Sequence, residues 1–279
     1  MDMAALSDGW RRAGESVGLV PTMGALHEGH ASLIRQARSE CDRVVVSIFV
    51  NPRQFGPGED FGRYPRTLDA DRELAEVNGA DVIFAPTPEV VYPPGFQTVV
   101  EVGPLTERLC GLDRPGHFDG VTTVVARLFG LVRPERAYFG QKDYQQAQVI
   151  RRMTEDLALP VTVVVCPIVR DTDGLALSSR NRYLSEAERK RARAVPESLA
   201  RVAARFVAGD TDADRALAEM GAWLGAAGVG VDYVAACDPD TLTPVKELSE
   251  GVVMLVAARI GGTRLIDNTI LPEAPPSGG

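Results

Sequence analysis

The sequence predicts an α/β protein: a doubly wound, mainly parallel sheet followed by a smaller α+β domain. Three observations carry this. Short β-branched runs alternate with helical patterns from residue 17 to about 166, the arrangement that builds βαβ units. Two of those runs, VVVSIFV and VTVVV, are almost wholly apolar, as strands covered on both faces must be. After residue 170 the order changes to helices first and strands afterwards, which is not a βαβ repeat.

The predicted strands of the first domain cover residues 17–21, 44–50, 82–85, 137–139 and 161–165, with helices at 30–39, 67–78, 120–131 and 144–157 between them. Thr67 suits an N-cap, Asp69 and Asp71 in the following turn complement the helix dipole, and Gly79 sits just past the helix end. In the second domain Ser185 and Glu188 form a capping box that opens one helix reaching about residue 208. A further helix is predicted at 212–226, then strands at 231–236, 252–258 and 263–267. The domains expected are 1–169, Rossmann-like, and 170–279, α+β. The final PEAPPSGG reads as a frayed tail.

Composition excludes several functions. With 38 acidic against 30 basic residues and a net charge of −8, the surface field repels phosphate polymers, so nucleic acid is not an expected partner. A small anion can still bind in a cleft where a few donors are focused. The longest apolar run, residues 44–50, is far short of the ~20 residues of a membrane span. No basic stretch followed by an apolar one marks a signal peptide in MDMAALSDGW. Cys41, Cys110, Cys166 and Cys237 are scattered and form no CxxC pair, which fits a reducing compartment. A cytoplasmic location is expected.

Three clusters carry candidate chemistry. VPTMGALHEGHASLI reads as strand, Gly-containing turn and helix N-terminus, a place where backbone N–H groups and the helix dipole meet an anion. His27 and His30, three apart, share a face of the first helical turn, and an imidazolium pair there can stabilise charge developing on phosphate. A zinc pair and two incidental surface histidines are the other readings; zinc needs a third ligand from Cys, His or a carboxylate, and the remaining histidine is His117. In RPERAYFGQKDYQQAQVI, Gly140, Lys142 and Asp143 follow a strand and open a helix, where open α/β sheets bind ligands. Lys142 could hold a phosphate and Asp143 ribose hydroxyls, with Gln145 or Gln146 for a polar substrate. In VRDTDGLALSSRNRYL, two serines and the Arg180 guanidinium suit a mobile loop that clamps a triphosphate.

The pairing of HxGH with a distant Ser-rich basic loop resembles the nucleotidyltransferase superfamily that includes class I aminoacyl-tRNA synthetases. The ordered set PTMGALHEGH, SIFVNPRQFGPGED, YPRT, RPGHFDGV, FGQKDYQQ and DGLALSSRNRYL resembles the pantothenate synthetase, or pantoate–β-alanine ligase, family, nearly continuously from residue 19 to about 185. The resemblance implies condensation of (R)-pantoate with β-alanine through a pantoyl-adenylate. The reaction is driven by ATP cleavage to AMP and pyrophosphate with Mg²⁺, in a homodimer without a resident metal. It implies an ATP site lined by Met23, Gly24, Ala25, Leu26, His27, Glu28, Gly29 and His30, by Gly140, Gln141, Lys142 and Asp143, by the Val169 backbone, and by Leu177, Ser178, Ser179 and Arg180. His30 takes the acid role, with His27, Lys142 and Arg180 beside it as catalytic groups; Gln54 and Gln146 hold pantoate, and Gln54 also meets β-alanine. Gln141 and Leu177 depart from the residues more familiar in the family, Glu or Lys and Met respectively.

The residues agree at the substrate end. Pantoate is a small acid with a gem-dimethyl group and two hydroxyls, so apolar walls with neutral hydrogen-bonding groups suit it. Met23, Phe49, Gln54 and Gln146 supply both. The C-terminal domain is the expected lid that shields the adenylate from water. On HxGH alone, an alternative is a nucleotidyltransferase acting on a small phosphorylated acceptor.

Overall fold

Five strands, β1 (Val17–Thr22), β2 (Arg43–Ile48), β3 (Val82–Phe84), β4 (Arg136–Gly140) and β5 (Thr162–Cys166), form a fully parallel sheet in the order β3-β2-β1-β4-β5. This is the computed structural model, which describes residues 2–272. The chain divides into two units, Met1–Pro167 and Ile168–Gly279. All of PEAPPSGG after Pro272 lies outside the described residues.

The centre of the sheet, β1, β2 and β4, is buried because these strands are apolar on both faces, whereas β3 and β5 are edge strands and only half-buried, so the VTVVV run is not covered on both faces as expected. Val20, Val44, Val46 and Tyr138 point to one side and pack on Leu33, Ile34 and Ala37 of helix α2 (Glu28–Glu40) and on Ala75 of α3 (Leu68–Val77). Their neighbours Leu19, Val45 and Ala137 are equally buried on the other side, as the two-residue pleat period requires. That side is covered by α1 (Met3–Arg12), α6 (His117–Val132) and α7 (Tyr144–Asp156). Two four-residue helices, α4 (Pro88–Val91) and α5 (Cys110–Asp113), lie in the long β3-to-α6 connection. The sheet order reverses between β1 and β4, so the crevice at their carboxyl ends is where a ligand is expected.

In the second unit α8 (Glu186–Ala192), α9 (Ala194–Val207) and α10 (Ala213–Ala226) precede the antiparallel strands β6 (Gly230–Cys237), β7 (Val253–Ile260) and β8 (Thr263–Ile270). Val195, Leu199, Val202 and Phe206 of α9 and Met220 and Leu224 of α10 share a core with Met254, Val256, Ala258 and Ile260 of β7. The Ser185–Glu188 capping box forms, but the single helix expected as far as residue 208 is two. The cause is Pro196, which has no N–H to donate to Ala192 and crowds that carbonyl, so the chain breaks at Arg193. Helix α1 lies outside the predicted elements; Asp2 caps it, accepting from the amides of Ala4 and Ala5.

No helix among the described residues is long and apolar enough to cross a membrane. All four cysteines are buried and free of disulfides.

Candidate active site

Strand β1 ends at Thr22, and the next five residues turn sharply into α2. Gly24 and Ala25 both adopt left-handed backbone, with φ of 83° and 52°. Glycine does this without strain, whereas alanine does it only when neighbours hold it there. Gly24 has no room for more: a Cβ there would lie 3.0 Å from a carboxylate oxygen of Asp71 and 3.2 Å from the Ile48 side chain.

The two histidines build the helix start themselves. His27 is the N-cap, its Nδ1 accepting from the Gly29 amide at 3.2 Å, while Nδ1 of His30 accepts from the His27 amide at 3.3 Å. This is a capping box with imidazoles in place of the usual Ser and Glu. A nitrogen that accepts a backbone hydrogen bond carries no proton, so in this arrangement each ring holds a proton on Nε2. The rings lie 4.2 Å apart.

An imidazolium pair was expected, but burial, the His27 ring and the Lys142 charge push His30 down to about 3, against a smaller upward pull from Asp143. The unliganded site therefore offers a neutral His30 with its Nε2–H as donor. Free backbone amides were also expected to face the anion. The Gly24 amide instead donates to Thr22 Oγ1, those of Ala25 and Leu26 to Asp71, those of His27 and Gly29 to the imidazoles, and those of His30 and Ala31 to the His27 carbonyl. These seven amides are engaged within the protein, and the turn they brace serves as a platform for the rings.

At the carboxyl end of β4, Gly140 leads into the 3-10 turn Gln141–Asp143 and then into α7. Lys142 Nζ stands 3.4 Å from Asp143 Oδ1, and both charges act on His30, so the second cluster converges on the first. Gln146, on the first turn of α7, is partly exposed. Gln145 is not available to a substrate: its amide is buried, donating to the carbonyls of Leu105 and Arg108 and accepting from the Cys110 amide. One residue along a helix rotates a side chain by about 100°, which turns it away from the crevice.

Past β2, a 3-10 turn at Pro52–Gln54 presents Gln54. Its side chain is gripped from both ends, Oε1 accepting from Asn51 Nδ2 at 3.1 Å and Nε2 donating to Met23 Sδ at 3.0 Å. Asn51 was not singled out from the sequence, yet it is the buried hub. It also donates to the Gly120 carbonyl at 2.9 Å and accepts from Tyr92 Oη at 2.8 Å and the Arg53 amide at 3.2 Å. Arg53 stacks on Tyr92 and Phe96 at 4.4 and 5.0 Å. Phe49 is buried and faces Tyr92 across 6.2 Å, forming wall rather than open surface.

His117 and Arg114, from the RPGH motif, secure the same turn. The Gln54 carbonyl accepts from His117 Nδ1 at 2.8 Å and from Arg114 at 3.2 Å, while Arg114 donates to His117 Nε2 at 2.9 Å and grips Glu59 through two bonds of 2.7 and 2.6 Å. His117 is thus a second neutral histidine type, protonated on Nδ1. Burial and the Arg114 guanidinium push it down to about 4. Burial alone would raise the Glu59 carboxyl, but Arg114 outweighs it and holds the group below its ordinary value.

The depressed histidines set an acid sensitivity. With His30 near 3 and His117 near 4 when folded, against 6.5 ordinarily, the unfolded chain binds more protons between about pH 4 and 6.5. Stability is therefore fully present above that window and falls as pH drops through it, by up to about 1.4 kcal/mol per pH unit for each histidine. His117→Asn is expected to flatten the slope, read from denaturation midpoints at several pH values. An unchanged slope would remove His117 as a contributor.

In the second unit the Val169 carbonyl accepts from the Leu177 amide at 3.0 Å, closing a hairpin over the Asp171–Gly174 turn. Arg189 clamps that turn through Asp171 and Asp173 at 2.6 and 2.7 Å. Ser178 Oγ accepts from the Arg180 amide and caps the 3-10 turn Ser179–Tyr183, which Asn181 anchors by donating to the Ala176 carbonyl at 3.0 Å. The segment is thus a capped and anchored turn. Among the described residues no three His, Cys, Asp or Glu side chains gather as a metal site would require.

Comparison with known proteins places this arrangement. Residues 1–270 match the family described as Pantoate-beta-alanine ligase. Pantothenate synthetase of Moorella thermoacetica is 53% identical over 265 residues, covering 94% of this chain and 93% of that protein. A crystal structure of pantothenate synthetase from Thermus thermophilus, 50% identical, superposes with a TM-score of 0.90 over 95% of this chain and 98% of its own. The pantoate-beta-alanine ligase of Francisella tularensis, solved in complex with beta-gamma ATP and beta-alanine, is 34% identical, with a TM-score of 0.80 over 97% of this chain and 96% of that one. With its parallel sheet, its HxGH capping box and a match along nearly its whole length, this chain belongs to the pantoate–β-alanine ligase family.

Proposed function

We propose that the protein condenses (R)-pantoate with β-alanine, cleaving ATP to AMP and pyrophosphate through a pantoyl-adenylate. The observation that supports this most directly is that His27, His30, Lys142 and Gln54 stand just beyond the carboxyl ends of β1, β4 and β2, neighbouring strands at the point where the sheet order reverses. ATP enters as substrate with Mg²⁺ on its phosphates.

In the first step a pantoate carboxylate oxygen attacks the α-phosphorus, a P–O bond forms, and the bond to pyrophosphate breaks with both electrons leaving on pyrophosphate. Charge grows on the phosphate oxygens, where the two Nε2–H groups and the Lys142 ammonium are suited to stabilise it. The approach of polyphosphate charge also raises the His30 pKa, so that an acid role begins on nucleotide binding rather than before it. Gln54 and Gln146 hold pantoate by neutral amides, which do not repel its carboxylate. In the second step the β-alanine amine attacks the acyl carbon, the amide forms, AMP leaves, and the amine loses a proton. Met23, Gly24, Ala25, Leu26, Glu28, Gly29, Gly140, Gln141, Asp143, Val169 and Leu177 are read as the rest of the nucleotide lining, and Ser178, Ser179 and Arg180 as phosphate-binding groups. A homodimer and a cytoplasmic location belong to the same proposal; the four free cysteines suit a reducing compartment.

The test is exchange of labelled pyrophosphate into ATP. Exchange that needs pantoate but no β-alanine is the expected result. No exchange by folded protein would overturn the adenylate route, and a stable nucleotide-linked product with no amide would favour transfer to a phosphorylated acceptor.

A further inference from the structure

We propose that Asp71 is a positioning residue for adenylate formation: it holds the turn that aims the two imidazoles. The inference rests on the ligase reading above and adds a residue that touches neither substrate.

Asp71 is 3% exposed, one turn into α3, an element remote in sequence from the histidines. At a helix start a carboxylate ordinarily serves its own helix dipole. Here both oxygens reach out of α3: Oδ2 accepts from the Ala25 amide at 3.0 Å and Oδ1 from the Leu26 amide at 2.7 Å. Thr67 occupies the N-cap position but makes no side-chain cap bond; its hydroxyl donates to Asp71 Oδ1 at 3.1 Å and so orients the carboxylate. The segment held in this way contains the left-handed alanine, whose backbone is unfavourable unless fixed from outside. Two charge-assisted bonds on consecutive amides supply that restraint.

The consequence reaches the site through one short path. Leu26 precedes His27, and the His27 amide holds His30. Releasing the 25–26 amides lets the turn relax toward ordinary backbone, moves the N-cap, and swings both Nε2–H donors. The same carboxylate also removes two amides from competition for phosphate, so recognition passes to the rings. This division of labour predicts an effect on the half-reaction in which pyrophosphate leaves, and little on attack by the amine.

Asp71→Asn keeps the size but turns an N–H₂ toward an amide donor, and Thr67→Val removes only the orienting hydroxyl. Each variant is measured for pantoate-dependent pyrophosphate exchange, for aminolysis of supplied pantoyl-adenylate by β-alanine, and for thermal midpoint. Asp71→Asn is expected to lower the exchange kcat/KM for ATP by about 10- to 100-fold, the range for displacing an aligned group by a fraction of an ångström to one ångström. Thr67→Val is expected to lower it by about threefold, a fraction of one charged hydrogen bond. Aminolysis should stay within about threefold of the parent in both. Equal losses in both half-reactions that track the thermal midpoint, or unchanged exchange in Asp71→Asn, would overturn the proposal. Parent protein without exchange would instead overturn the ligase reading.

Discussion

His30→Ala is expected to slow pantoate-dependent pyrophosphate exchange by about 10²- to 10⁴-fold, the range for a positioned acid or electrostatic group. Two losses combine. The Nε2–H donor to the developing phosphate charge disappears, and so does the Nδ1 acceptor that satisfies the His27 amide. The second loss weakens the cap of α2 by about 1 kcal/mol, too little to unfold a domain of ordinary stability. Folded, slow enzyme is therefore the expected outcome, checked by exchange kinetics beside circular dichroism. His30→Asn, whose side-chain oxygen can accept from the same amide but which brings no Nε2–H, should restore the cap and not the rate. Activity within about fivefold of the parent in His30→Ala would remove the electrostatic role.

Gly120→Ala is expected to be nearly as damaging, for a steric reason. A Cβ at Gly120 would overlap the Arg53 carbonyl oxygen and lie 2.7 Å from the Gln54 amide nitrogen. Both are backbone atoms of the turn that presents Gln54, so nothing flexible can yield. Either α6 moves away from the turn or the turn moves into the site, and the Asn51 bond to the Gly120 carbonyl is strained in both cases. Overpacking of this kind costs about 1–3 kcal/mol, while a shift of about 1 Å at a substrate-positioning group costs about 100-fold in rate. Turnover should thus fall far more than stability, with the KM for pantoate and β-alanine rising. A variant with parental KM values would show that α6 and the turn can separate without disturbing Gln54.

Apolar runs located the five strands of the first sheet to within two residues, because central strands must be apolar throughout and the half-buried edge strands β3 and β5 are built from the same β-branched residues. Boundaries set by single side chains were less legible. Pro196 broke a helix whose apolar pattern continues across it, and α2 starts at Glu28 because a histidine, rarely a cap, serves as one. Gln145 and Gln146 looked alike in sequence; only the helical phase of α7 made one a buried tie and left the other partly exposed.

By itself the sequence determined the family, the parallel order of elements and the motif residues, since these depend on local pattern and on residue types that have few other uses. Protonation, tautomer and restraint were decided by the tertiary structure. The neutral state of His30, the opposite tautomer of His117 and the part played by Asp71 all arise from groups 3 to 63 positions apart in the chain meeting at hydrogen-bond distance. Burial strengthens each such encounter, and no reading of neighbours along the chain can supply it.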